Sequence, residues 1–181
     1  MAVHDRPNHD AWDPLATLAA AATVTERVRL ATTAVLLPAY DETLLARQAA
    51  VVDRVSGGRL DLGVGLGARA DDYQALGRPF GGRGRRLEEQ LQRLHELWAA
   101  AIDREATGGT PGPAPLQRPH PPLWVGGYAD AAVRRAVTLG DGDQPGAASA
   151  GLGTRRRDRS EVPWSRGAWR SCGGRRRLDP G

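Results

Sequence analysis

Short apolar segments of strand character alternate with helical segments through most of this 181-residue chain. Strands are predicted over 29–37, 59–64 and 122–125, and helices over 14–23, 42–56, 84–102 and 129–139. Strands that alternate with helices pair in parallel through right-handed crossovers. The pattern therefore predicts an α/β fold, which is either a doubly wound sheet or a (β/α)8 barrel.

Glycine or threonine stands near the end of each predicted strand. In both candidate folds ligands bind at the carboxyl ends of the strands, where Thr33, Gly65, Gly67 and Gly127 fall. The segment 63–68 also has the G-x-G-x-x-A spacing of a dinucleotide-binding turn. That motif should lead directly into a helix, whereas glycines and a proline break the chain soon afterwards. Two alternatives stay open: glycines that only let a helix approach the strand, and a glycine-lined cofactor pocket in a barrel.

The charge of the chain is unevenly distributed. Residues 1–150 carry 16 arginines against 18 acidic residues, whereas residues 151–181 carry nine arginines and three acidic residues. The net charge of +4 therefore comes from the end of the chain. Because the rest of the chain is mildly acidic, we do not expect it to bind nucleic acid. The single cysteine excludes a disulfide framework and a cysteine zinc site, and no metal-binding pattern is evident. No apolar run is long enough for a membrane span, and we expect a cytoplasmic protein.

Four blocks of sequence carry a resemblance to a known family. They are DPLATLAAAATVTERVRLATTAVLLP, LLARQAAVVDRVSGGRLDLGVGLG, ALGRPFGGRGRRLEEQLQRLHELW and PPLWVGGYADAAVRRAVTLGDG. In this order and spacing they resemble the luciferase-like monooxygenases, a family of flavin- and deazaflavin-dependent oxidoreductases. The resemblance implies a (β/α)8 TIM-type barrel, of which this chain would cover about strands two to five. It also implies FMN or the deazaflavin coenzyme F420 at the strand ends, and monooxygenation or hydride transfer on a small-molecule substrate.

The same resemblance implies a set of cofactor-binding residues. They are Asp5, Thr33, Ala34, Gly65, Gly67, Asp71, Gly126 and Gly127. Some family members carry a non-proline cis peptide bond at the place of Thr33–Ala34, against the flavin ring. The free N–H groups of the helix that begins near Ala129 would hold the cofactor phosphate. The alternatives are a plain buried strand at Thr33–Ala34 and a simple strand-to-helix turn at Gly126–Gly127.

The histidines do not identify a catalytic residue, and the catalytic residues stay unknown. His4 and His9 lie near the expected site, and an imidazole can donate a proton near neutral pH. A lone histidine in a loop is more often not catalytic. His95 falls within a long predicted helix and His120 in a proline-rich loop, so both are expected to be structural or exposed.

The resemblance is incomplete at both ends of the chain. Relatives begin with a first strand and helix that have no counterpart here, and residues 3–6 resemble the end of their second strand. The family pattern stops after Gly142. We therefore expect a partial barrel domain over 1–142 and an Arg/Gly-rich tail of low order over 143–181, the tail being either a basic arm or sequence out of frame. The chain would be a piece of an oxidoreductase that forms a homodimer when intact; the alternative is a non-catalytic remnant with no tight ligand.

Overall fold

The computed structural model describes residues 1–3, 12–108 and 113–143. The strands within these residues are β1 (Ala2–Val3), β2 (Leu30–Thr32), β3 (Leu60–Gly65), β4 (Leu123–Gly126) and β5 (Gly142–Asp143). The helices are α1 (Pro14–Thr23), α2 (Glu42–Val55), α3 (Ala70–Ala75), α4 (Arg83–Ala106) and α5 (Asp130–Thr138), with a 3-10 turn at Leu37–Ala39.

The strands form one parallel sheet in which neighbours in the sequence are neighbours in space. Its order is β1-β2-β3-β4-β5, and every adjacent pair is parallel. A doubly wound sheet reverses its strand order at a switch point, whereas the wall of a (β/α)8 barrel runs in sequence order. Of the two folds that the sequence left open, the observed order is that of the barrel wall. The expected α/β class is confirmed.

The apolar core lies between one face of this sheet and the helices. It includes Leu60, Leu62 and Val64 of β3, Leu123 and Val125 of β4, and Leu87, Leu91, Leu94 and Trp98 of α4. The indole Nε1 of Trp98 donates to the carbonyl of Ala46 at 3.1 Å, so this large side chain joins α4 to α2 without an unpaired polar atom. The opposite face of β3 and β4, away from the helices, is the inner face of the barrel wall.

Side-chain caps begin the first two long helices where the sequence predicted. Asp13 Oδ1 accepts the N–H of Ala16 at 2.7 Å, and Pro14 takes the first helical position, where no N–H is needed. Asp41 Oδ1 likewise accepts the N–H of Leu44 at 2.9 Å at the start of α2. Each such cap contributes about 0.5–2 kcal/mol to the stability of its helix.

A buried polar network holds the amino ends of the strands. The carboxylate of Asp53, which is fully buried, accepts the N–H groups of Leu116 and Gln117 at 2.7 and 2.8 Å. It also accepts the side-chain amide of Gln117 at 2.7 Å. Arg29 binds Asp61 through two hydrogen bonds of 2.7 and 2.6 Å, which raise the pKa of the guanidinium. In barrels the amino ends of the strands serve stability, whereas ligands bind at the carboxyl ends.

Three expectations about the elements were wrong. The continuous strand predicted over 29–37 is interrupted after Thr32, because the chain bulges out of the sheet, pairs again only at Val35 and then enters the 3-10 turn that contains Pro38. The interval before α4 contains the short helix α3, although turn residues dominate it. Gly142–Asp143 adds a strand because it pairs with Trp124 and Val125, a contact that local sequence does not reveal. Among the described residues, no helix is both long and apolar enough to cross a bilayer.

Candidate functional site

The carboxyl ends of β2, β3 and β4 bring several of the expected residues together. Gly65 and Gly126 are register partners at the ends of β3 and β4. A Cβ atom built on Gly65 would lie 3.6 Å from both the Cβ of Ala34 and the carbonyl oxygen of Gly126. The end of β2, the end of β3 and the end of β4 therefore meet within van der Waals distance around Gly65.

A bulge after β2 places Ala34 at this meeting point. Thr32 belongs to β2, and Val35 re-enters the sheet by pairing with Val64, so one extra residue is inserted relative to β3. The buried hydroxyl of Thr32 donates to the carbonyl of Gly63 at 2.7 Å and accepts its N–H at 2.9 Å, in place of the interrupted backbone pairing. The peptide bond between Thr33 and Ala34 is cis, as the resemblance implied.

Two glycines at these strand ends are required by geometry. Gly67 has a φ of +65°, and a Cβ on it would lie 2.8 Å from Cδ2 of Leu36. Gly127 has a φ of +154°, and a Cβ on it would lie 2.5 Å from the Cβ of Ala132. Both distances are well inside the ~3.5–4.0 Å of an ordinary carbon contact, and L-residues rarely adopt either angle. The turns after β3 and β4 therefore depend on the absence of a side chain.

The turn after β4 leads into α5, one residue later than predicted. Ala129 is the N-cap and provides no side-chain hydrogen bond, but the N–H of Ala132 already donates to the carbonyl of Ala129 at 2.7 Å, so the earlier N–H groups of the turn are the candidates for a ligand. Asp130, however, puts a negative charge in that first turn. It interacts favourably with the helix dipole and would repel a phosphate, so α5 is a less favourable anion site than the sequence suggested.

Of the two carboxylates expected at the site, the structure describes Asp71 but not Asp5. Asp71 lies in the first turn of α3, accepts the N–H of Asp72 at 3.1 Å and lies 3.6 Å from Nε of Arg69. Asp5 lies outside the described residues, as do His4 and His9.

Asp72 is a residue that the sequence did not single out. It is only 2% exposed, and its Oδ1 has no hydrogen-bond partner among the described residues. Sequence spacing offered no signal for it, because α3 itself was not predicted.

The remaining histidines lie away from the glycines, at the amino end of β4. The His95 and His120 rings meet edge to face with centroids 4.6 Å apart, and His120 also stacks on Trp98. Burial lowers the pKa of His95, and the charge of a protonated His120 lowers it further. Both rings are packed rather than exposed, which makes them structural, one of the two expected possibilities.

A groove at the amino ends of α2 and α4 is separate from the glycines. It measures about 500 Å³ and lies between the amino ends of α2 and α4, lined by residues that include Arg78, Arg86, Arg93, Glu42 and Glu89. The guanidinium of Arg86 is already bound to the carbonyls of Pro38 and Pro79. Charges of both signs are mixed there, so the groove does not favour a particular ligand.

Comparison with known proteins identifies the family. The model of the luciferase-like monooxygenases matches residues 1–159. This chain belongs to that family. It is 36% identical over 122 residues to the oxygenase component of flavin-dependent trigonelline monooxygenase of Acinetobacter baylyi, covering 62% of this chain and 33% of that protein. The chain thus spans about a third of this relative's length.

Solved structures of this kind share the fold. The oxygenating constituent of 3,6-diketocamphane monooxygenase of Pseudomonas putida, in complex with FMN, superimposes with a TM-score of 0.62 at 20% identity. The match covers 71% of this chain and 42% of that one. The coenzyme F420-dependent tetrahydromethanopterin reductase of Methanopyrus kandleri matches with a TM-score of 0.59 at 18% identity, over 77% and 45% of the two chains. These likenesses support a TIM-barrel wall for the described strands.

Proposed function

We propose that this chain contributes the flavin- or deazaflavin-binding strand ends of a luciferase-like oxidoreductase. The observation that carries the proposal is the convergence of Ala34, Gly65 and Gly126, so that β3 and β4, among the described strands, end without a bulky side chain on the face away from the helices. A flat ring system needs such a surface, and barrel enzymes place their ligands at this end.

The residues around this point fit such a group. On β3 and β4 the positions nearest the carboxyl end that face away from the helices are glycines, so the strands present backbone rather than side chains there. We assign cofactor contacts to the residues expected from the sequence: Thr33, Ala34, Gly65, Gly67, Asp71, Gly126 and Gly127, with Asp5 from outside the described residues. When bound, the flavin or deazaflavin supplies the redox chemistry, which is monooxygenation or hydride transfer.

The part of the protein is to bind and orient the ring and to exclude water from it. Thr32 fixes the bulge by its two hydrogen bonds to Gly63, and the bulge sets the position of Ala34 beside Gly65. Leu36 packs against the turn at Gly67. Because this surface is already ordered, the protein loses little conformational freedom when the ring binds, which favours affinity.

The remaining assignments are proposals of the same kind. We place a partial barrel domain over 1–142 and an Arg/Gly-rich tail over 143–181, whose first residue, Asp143, still pairs within the sheet. We also propose a small molecule as substrate and the cytoplasm as compartment. A homodimer is supported by α2, which exposes Leu44, Val51 and Val55 at 55%, 45% and 49%. Their spacing puts all three on one face of the helix, and an exposed apolar stripe of this kind favours contact with a second helix.

The test is titration of the purified chain with FMN and with the deazaflavin, read by absorbance and fluorescence. We expect saturable binding of one of the two, weakened at least 10-fold by Gly65→Val, whose branched side chain enters the ring surface. Gly81→Val is the matched control, because Gly81 has open space around it. It should bind like the unaltered chain. A correctly folded chain that binds neither cofactor would instead favour the non-catalytic remnant.

A further inference from the structure

On the described strands, the inner face of the sheet carries one large aromatic side chain, Trp124. Leu123 and Val125 of β4 are buried in the core against the helices. Successive side chains of a strand point to opposite faces, so Trp124 and Gly126 lie on the inner face of the barrel wall. Trp124 is half-buried, whereas its two strand neighbours are fully buried.

Glycine flanks this tryptophan on both neighbouring strands. Trp124 is the register partner of Gly63 on β3 and of Gly142 on β5. A Cβ on Gly142 would lie 2.8 Å from Cζ3 and 3.2 Å from Cε3 of the indole, so the ring rests directly against the backbone of β5. A larger residue at Gly142 would displace the indole.

The layers above and below Trp124 differ sharply. Towards the amino end, the next inner-face residue of β3 is Asp61, which forms an ion pair with Arg29. Towards the carboxyl end, the next layer consists of Gly65 beside Gly126. Barrel interiors are usually filled with layers of branched side chains. Here β3 and β4 provide no side chain between the indole and the mouth.

We propose that Trp124 forms the floor of the cofactor site and that its indole contacts the flat ring of the bound flavin or deazaflavin. The inference rests on the proposed function. A ring that enters past Gly65 and Gly126 meets the indole as the first side chain of these two strands. Two residues of strand rise separate Trp124 from Gly126, about 6.6 Å, which leaves depth for one planar ring above the indole. Offset or edge-to-face packing of the two aromatic systems would then stabilise the complex.

The experiment uses the quenching of flavin fluorescence, which an indole causes by electron transfer only at contact distance. The full chain and its variants are titrated into FMN, and both the dissociation constant and the fluorescence of the fully bound flavin are measured. Trp124→Phe keeps an aromatic ring but removes the quencher. We expect the bound flavin to become several-fold brighter, with the dissociation constant changed by less than about threefold. Trp124→Leu removes the ring as well and should also raise the dissociation constant about 3- to 10-fold.

Trp98→Phe is the matched control, because Trp98 is buried between α2 and α4 on the other side of the sheet. It should leave the brightness of the bound flavin unchanged. If Trp124→Phe binds FMN with unchanged brightness, the indole does not touch the ring and the inference is overturned. The same holds if Trp124→Leu weakens binding without any change in brightness, since the tryptophan would then act only through the fold. A folded chain that binds no FMN and no deazaflavin refutes the proposed function itself, and this inference with it.

Discussion

Replacing Gly127 by alanine tests whether the turn after β4 depends on the absence of a side chain. The added Cβ would lie 2.5 Å from the Cβ of Ala132, about 1 Å inside normal contact. Relieving such an overlap costs about 1–3 kcal/mol, and an L-residue at a φ of +154° costs about 1–3 kcal/mol more. We therefore expect Gly127→Ala to lower the free energy of unfolding by about 2–6 kcal/mol.

A second substitution separates the two contributions. Ala132→Gly removes the opposing methyl group and by itself should cost about 1–2 kcal/mol, from helix propensity and lost burial. In the double variant the overlap is gone, so it should be about 1–3 kcal/mol more stable than the sum of the two single effects predicts. Gly57→Ala is the control for backbone strain alone, because Gly57 has a φ of +66° with no atom within 4 Å. It should cost about 1–2 kcal/mol.

The measurement is urea unfolding followed by far-ultraviolet circular dichroism, with all four variants compared at one temperature. If Gly127→Ala and Ala132→Gly add within about 0.5 kcal/mol, the two side chains do not compete for space. The turn after β4 would then not lie close to α5. The position of the glycines at the candidate site would be wrong as well.

Three further outcomes follow from other parts of the structure. Asp53→Ala should lower the free energy of unfolding by about 3–5 kcal/mol in urea titrations, because it removes three hydrogen bonds to a buried carboxylate. Asp53→Asn should lower it clearly less. Equal losses in the two variants would argue that these hydrogen bonds do not stabilise the fold. The pKa of His95 is lower in the folded chain than in the unfolded chain, so the unfolded chain binds the proton at a higher pH. Stability should therefore fall as pH drops below about 6.5, and His95→Gln should flatten that dependence; an unchanged slope would contradict it. Leu44→Glu with Val51→Glu should shift any self-associated chain towards monomer in analytical ultracentrifugation, whereas an unaltered distribution would remove α2 as the interface.

Local signals in the sequence were sufficient for much of the fold. The pairing of Asp13 with Pro14 predicted the start of α1, and the apolar periodicities predicted α2 and α4 within a few residues. The strand predicted over 59–64 forms β3 at Leu60–Gly65, within one residue of the predicted bounds. These features depend on neighbours within a few positions, which a single sequence displays directly.

Features that depend on distant partners could not be predicted. The end of β2 at Thr32 depends on hydrogen bonds to Gly63, and β5 forms only because it pairs with β4. The helix α3 is short and preceded by glycine, so its periodicity is too weak to detect. For β2 and β5 the deciding contact lies far along the chain, whereas α3 was missed because of its length.

The position of the candidate residues at the strand ends was predictable from the sequence, whereas their role in binding a cofactor stays a prediction. Strand ends followed by glycine indicated the site, and the resemblance indicated the cis bond at Thr33–Ala34. Asp130 in the first turn of α5 was visible in the sequence, yet its effect on an anion appears only once the helix start is known. The inward position of Trp124 follows from its alternation with Leu123 and Val125, a pattern that the sequence itself contains.

The most direct test of the account is to locate bound flavin by amide chemical shifts. Backbone resonances of the isotopically labelled chain are recorded as FMN is added. We expect the largest shifts at Ala34, Gly65, Gly126 and Gly127, which meet at the carboxyl end of the sheet, with the amino-end network around Asp53 unaffected. Shifts centred instead on the groove between α2 and α4, or saturating FMN without any shift at these four amides, would contradict the placement of the cofactor at the strand ends.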